Sequence, residues 1–218
     1  MLQLYTYWRS SSSYRVRIAL GLKQLPHTSR YVHLLRGGGE QHNADFRSVN
    51  PLGKVPALVE ENGQVITQSL AIMEYLEETR SDPPLLPADP VGRARVRTLA
   101  QIIACDIQPL QNTGTIAYLR SKLGANNEQI RAWMSEFIGS GLTGYESLLA
   151  RHPATGRFSH GDAPGIADCC LVPQCYAARR FGVEIDSARF PTIARIESAC
   201  LALPAFRNAA PELQSDCE

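Results

Sequence analysis

The sequence has little of what announces a cofactor or a compartment at first glance. Its 218 residues hold three lysines against nineteen arginines, three methionines and two tryptophans. The six cysteines form no C-x-x-C pair, which indicates neither a disulfide framework nor a zinc site and leaves reduced thiols as the expectation. The five histidines show no H-E-x-x-H spacing, so no metal is expected and most of them read as surface or loop residues. The glycines at 37–39 are not followed by the G-K-[ST] of a nucleotide-binding loop, which removes ATP as a ligand. No run approaches the ~18 apolar residues of a membrane span. The first twenty residues carry Arg9, Arg15 and Arg17 where a leader peptide would have an apolar core, so a cytoplasmic location without a membrane partner is expected. A formal charge of +1 gives no polyanion surface, and nucleic acid is not an expected partner. The bulk excess of arginine is read as base composition, leaving only individually placed arginines as candidates.

What is present divides at a proline-rich segment. Residues 1–7 alternate as a short strand, residues 14–23 place Val16, Ala19 and Leu20 on one helical stripe, and residues 31–35 read as a second strand. That makes a strand, helix, strand unit, right-handed by the crossover rule. Residues 36–50 read as a glycine-loosened loop with at most a short helix. Strands at 57–59 and 65–67 flank Asn62-Gly63, a hairpin signal, and Ser69 reads as the N-cap of a helix reaching Thr79. The stretch "RSDPPLLPADP" has four prolines in eleven residues and reads as a linker. Beyond it helical periodicity dominates: residues 91–123 with a kink at Pro109, then 127–151, 166–182 and 191–202. The expected organisation is an α/β domain at 1–80, a linker at 81–90 and an all-helical domain at 91–218.

Three loops fall at one end of the expected sheet: residues 9–13, Val55-Pro56 and Gln68-Ser69. Two of them open helices, where unpaired N–H groups and the positive end of the dipole favour a thiolate or carboxylate. The stretches "YWRSSSSYRVRIAL", "NPLGKVPAL", "QSLAIMEYLEE" and "IQPLQN", with "FSHGDAPGIADCCLVPQ" and "ARRFGVEID" further on, together resemble the zeta class of cytosolic glutathione S-transferases, which includes maleylacetoacetate isomerases. The likeness runs in order over essentially the whole chain.

The resemblance implies a thioredoxin-like α/β domain with a mixed four-stranded sheet, followed by the helical domain, and glutathione as cofactor. Val55, before a cis Pro56, would pair through its backbone with the cysteinyl part of glutathione, and Gln68 and Ser69 would hold its γ-glutamyl end. Gln41, Gln108 and Asn112 match further glutathione contacts. Ser10 matches the serine whose hydroxyl donates to the glutathione sulfur, with Ser11 a secondary donor and Ser13 read as a cap. Read without the resemblance, these serines are a polar loop and an N-cap.

Ser12 stands where the family commonly has cysteine, which leaves a hydroxyl donor but no soft nucleophile. Gly165 stands where the family usually has a Ser/Thr cap, leaving Asp168 to cap alone. Arg9 and Arg180 are the arginines assigned to substrate carboxylates, with Arg179 an alternative, while Arg93, Arg95 and Arg97 read as surface charges. The implied activity is isomerisation of maleylacetoacetate to fumarylacetoacetate by thiolate addition, bond rotation and elimination. Maleylpyruvate isomerase, a conjugating transferase or α-halo acid dehalogenase, and a non-catalytic glutathione-binding scaffold are the alternatives. The expected partners are glutathione, a carboxylate-bearing small molecule and a second copy of the chain.

Overall fold

Apolar residues at alternate positions of β1 (Leu2–Thr6) and along one stripe of α1 (Ser11–Leu22) supply the first buried layer. The computed structural model describes residues 1–218. After α1 the chain turns through Gln24 and enters β2 (His27–Tyr31), then passes α2 (Ala44–Val49), β3 (Ala57–Val59), β4 (Val65–Thr67) and α3 (Ser69–Thr79). The sheet has the order β2-β1-β3-β4, with β1 parallel to β2 and antiparallel to β3, and β3 antiparallel to β4. This is a thioredoxin-like arrangement. Leu2, Leu4, Val16, Leu20, Leu58, Ile72 and Leu76 form one core cluster, and Tyr7, Trp8, Val32, Phe46 and Val55 form a second.

The chain divides into two compact units, Met1–Leu85 with Leu203–Glu218, and Leu86–Ala202. In the first unit, Lys23 at the end of α1 buries its ammonium against Glu77 Oε2 at 2.9 Å and donates also to the carbonyls of Arg80 and Pro83. Glu77 further accepts the Leu85 N–H at 2.9 Å. One ion pair therefore ties α1, α3 and the segment after α3 together. In the second unit the elements are α4 (Pro90–Gln101), α5 (Thr113–Leu123), α6 (Asn127–Ala150), α7 (Ile166–Arg180) and α8 (Pro191–Leu201), while α9 (Pro204–Asn208) belongs to the first. No helix is long and apolar enough to cross a membrane.

Several expectations shift. The second strand is His27–Tyr31 and not residues 31–35. An edge strand needs only its backbone to pair, so the polar "HTSRY" serves, and Val32 just after it is buried in the cluster of Tyr7, Trp8, Phe46 and Val55. Helix α1 begins at Ser11, with Ser10 as N-cap, so Ser13 is not a cap but a buried residue of the first turn. Ser69 is the first helical residue of α3, and Gln68 occupies the cap position. The kink at Pro109 is a π-helical turn at Ile102–Ile107 running into a 3₁₀ turn at Gln108–Gln111, because proline withholds an N–H and its ring clashes with a straight helix. Arg95 is no free surface charge: it donates to the Ser159 carbonyl at 2.6 Å and the Thr155 hydroxyl at 2.7 Å.

Asp168 does cap α7, accepting the N–H groups of Gly165 and Ser159 at 2.9 Å each. Burial lifts its carboxyl above the ordinary range, against the opposing pull of those hydrogen bonds. Its folded-state value is the higher one, so the folded protein binds the extra proton. Stability should therefore fall as pH rises from ~3.9 through the raised value. Asp168→Asn should flatten that part of the pH profile in urea-unfolding midpoints, and an unaltered slope would assign it to other groups.

Candidate active site

The sheet register brings four connections to one end. Tyr5 is paired with Ala57 and Ala57 with Thr67, while Thr6 is paired with Tyr31. The residues that follow β1, precede β3, follow β4 and follow β2 therefore emerge together. They carry Arg9–Ser10, Val55-Pro56, Gln68-Ser69 and the loop that holds Gln41.

Ser10 caps α1 by accepting the Ser13 N–H on its Oγ at 3.2 Å. A hydroxyl that accepts still has its hydrogen to give, so the cap role and a donor role are compatible. The N–H groups of Ser11 and Ser12, the first two helical residues, take no backbone partner, as expected of a helix start. Arg9 lies over the Trp8 ring, 5.1 Å from its centroid. The turn thus presents one hydroxyl, two amides and one guanidinium.

The Val55-Pro56 bond is cis, as the resemblance implies, and so is Asp82-Pro83. Neither the N–H nor the C=O of Val55 enters a backbone hydrogen bond, so both remain for a ligand backbone. Gln68 has φ 69 and ψ 119, a left-handed-side conformation unusual for a residue with a side chain, immediately before the open N-terminus of α3. Ser69 Oγ accepts from Arg15 Nη1 at 3.1 Å, with both side chains buried. Arg15 thereby links the α1 and α3 N-terminal turns.

Gln41 gives its Nε2 to the Leu34 carbonyl at 3.2 Å, and its Oε1 is buried without a partner. Gly39 and Gly53 leave room for it: at Gly39, with φ 106, an added Cβ would lie 2.5 Å from the Gln41 amide, and at Gly53 it would lie 2.8 Å from the Gln41 carbonyl. An unpaired acceptor at Gln41, an unpaired amide at Val55 and an open helix N-terminus at Ser69 fit a small peptide with a free γ-glutamyl carboxylate.

The other predicted residues lie in the second unit. Gln108 opens the 3₁₀ turn before α5. Asn112 is the N-cap of α5, accepting the Gly114 N–H at 3.0 Å. Arg179 is committed to Glu197 through two bonds of 2.6 and 2.5 Å, whereas Arg180 lies over Phe181, 5.3 Å from its centroid. Arg15 and Arg17, both buried in α1, are not among the site residues expected from the sequence. The available signal was two arginines set at alternate positions within the apolar run "YRVRIAL".

A thioredoxin-like unit with helix N-termini at one sheet end, together with a wholly helical second unit, makes up the glutathione S-transferase fold. Residues 9–79 match the family model for the glutathione S-transferase N-terminal domain. A maleylpyruvate isomerase of Ralstonia is 48% identical over 99% of both chains, and a maleylacetoacetate isomerase of Pseudomonas aeruginosa is 46% identical over 99% of this chain and 98% of that one. Among solved structures, a holo maleylpyruvate isomerase described as a bacterial zeta-class glutathione S-transferase superposes with a TM-score of 0.93 at 47% identity, covering 99% of this chain and 100% of that one. A maleylacetoacetate isomerase from Methylobacterium extorquens with bound malonate and glutathione gives a TM-score of 0.93 at 41% identity over 99% of each. The chain belongs to the glutathione S-transferase family, in its zeta class.

Proposed function

We propose that the protein is a glutathione-dependent cis-trans isomerase that converts maleylacetoacetate to fumarylacetoacetate. The observation that carries the reading is the convergence of the Ser10 hydroxyl, the unpaired Val55 backbone and the α3 N-terminus at one sheet end, in a chain whose full-length relatives are named for this reaction. The chemistry supplied by bound glutathione is reversible addition of its sulfur to the conjugated cis double bond, with rotation before the sulfur leaves.

The chain's own residues prepare that chemistry. Ser10 donates its hydroxyl hydrogen to the sulfur while its lone pair keeps the Ser13 N–H. Donation to an anion favours the anion, and the α1 N-terminus acts in the same direction. Val55 fixes the peptide backbone, and the N-terminal turn of α3 at Ser69 receives the γ-glutamyl carboxylate. Arg9 is the first unit's candidate for a carboxylate of the keto acid, and Arg180 is the second unit's candidate for the same role. With Ser12 in the loop and no cysteine among residues 9–13, a mixed disulfide has no partner there.

Maleylpyruvate is the second substrate reading, favoured by the Ralstonia relative. Rates on both acids with and without glutathione test the assignment, which requires turnover of a maleyl keto acid that vanishes when glutathione is withheld. Arg180→Ala should raise KM by about 10- to 100-fold, the loss of one charge-assisted contact, with a smaller change in kcat. An unchanged KM would remove Arg180 from the substrate site.

A further inference from the structure

The backbone of Trp8, two residues before Ser10, is held through both of its flanking peptide groups. Its N–H donates to Asp216 Oδ2 at 2.9 Å, and its carbonyl accepts from Arg17 Nη2 at 2.9 Å. Arg17 also donates through Nη1 to the Thr6 hydroxyl at 3.2 Å and the Tyr7 carbonyl at 3.3 Å, and through Nε to the Ala209 carbonyl at 3.0 Å. The same Tyr7 carbonyl receives the Ser10 N–H at 3.1 Å. One buried guanidinium therefore reads three successive residues at the end of β1 and the segment after α9, and Asp216 from that segment closes the far side. Cys217 packs against the cluster that contains Tyr7, Trp8 and Val55.

The side chains suit this task. Burial lowers the Arg17 guanidinium to about 10, with Tyr14 and Asp216 among the charges that support it, so it remains cationic at neutral pH. A carboxylate accepting a backbone N–H and a guanidinium donating to a backbone carbonyl are both charge-assisted, the stronger kind of hydrogen bond. A turn whose peptide planes are fixed this way keeps the hydroxyl two residues on in one place, which a thiol-activating donor requires.

We infer that Asp216 and Arg17 are positioning residues of the active site: together they clamp the N–H and the carbonyl of Trp8 and so aim Arg9 and Ser10. The inference rests on the reading of Ser10 as the sulfur donor and adds to it that the segment 209–217 sets the aim. Neither residue touches substrate. The clamp is a property of the protein's own backbone and is measurable without glutathione.

The test uses Asp216→Ala, which removes the acceptor, and Asp216→Asn, which keeps one. In the glutathione-free protein, amide hydrogen exchange at Trp8 and Ser10 should quicken about tenfold in Asp216→Ala, with β1 and α1 unchanged and Asp216→Asn between it and the parent. With glutathione, Asp216→Ala should raise the apparent pKa of the bound thiol and lower kcat by about tenfold, with KM for the keto acid nearly constant. Parent-like exchange at Trp8 would overturn the clamp, as would quickened exchange with a parent-like thiol pKa and kcat. Ser10→Ala in the same thiol titration separates the two claims. If it shifts the pKa and Asp216→Ala does not, the positioning role fails and the Ser10 reading stands; if Ser10→Ala leaves the pKa in place, the Ser10 reading fails.

Discussion

Ser10→Ala is expected to lower kcat/KM by about 10- to 100-fold, the worth of one hydrogen bond to a charged sulfur, and to raise the bound glutathione thiol by about one to two pKa units. Alanine also removes the α1 N-cap, since Ser10 Oγ accepts the Ser13 N–H, and that costs about 1 kcal/mol of stability on its own. The two losses are separable. Ser10→Thr keeps both the acceptor and the hydroxyl hydrogen and should retain most of the activity, whereas Ser10→Asp keeps the cap acceptor but sets a negative charge beside the sulfur and should be worse than alanine in turnover. Stopped-flow titration of the thiolate and steady-state rates on the three variants check the ordering. If all three match the parent, the sulfur is activated by other groups.

Glu77→Ala is expected to destabilise the protein by ~3–5 kcal/mol, because it strands the buried Lys23 ammonium and the Leu85 N–H. Lys23 is the one lysine of three whose side chain is fully buried, with 0% of it exposed in the pair with Glu77. Glu77→Gln leaves an acceptor and should cost less. The double variant Lys23→Met with Glu77→Leu should recover part of the loss, since removing both charges spares the penalty of leaving one unpaired. Denaturant unfolding measures all three together with the single variants Lys23→Met and Glu77→Leu, and additive single-variant effects in the double variant would mean the pair is not coupled.

The sheet was legible where pattern and turn chemistry agree. Ala57–Val59 and Val65–Thr67 flank Asn62-Gly63, and their bounds follow from the hairpin signal alone. The edge strand was misplaced because "HTSRY" has no apolar alternation and is held by backbone pairing to β1, information that lies in its neighbour. The start of α1 was placed three residues late because serines weigh against a helix interior while serving well in its first turn.

For the site, the residue types and their common sheet end could be read from motifs, but the supports could not. Arg17 and Asp216 stand 199 positions apart in number yet grip the backbone of the same residue, Trp8. Nothing local marks Asp216, which sits in an ordinary polar stretch, "QSDCE". Likewise the commitment of Arg179 to Glu197, eighteen residues on, is not marked in the local sequence. Local patterns report an element's own preference; a buried charge reports its partner, and partners are set by tertiary packing.

An isomerase of this kind uses glutathione and returns it. Following a maleyl keto acid and glutathione together by proton NMR, with the acid in large excess, measures this directly. The trans isomer should accumulate through many turnovers with the glutathione signals undiminished at the end. Loss of one glutathione for each acid consumed, or no trans product at millimolar glutathione, would contradict it.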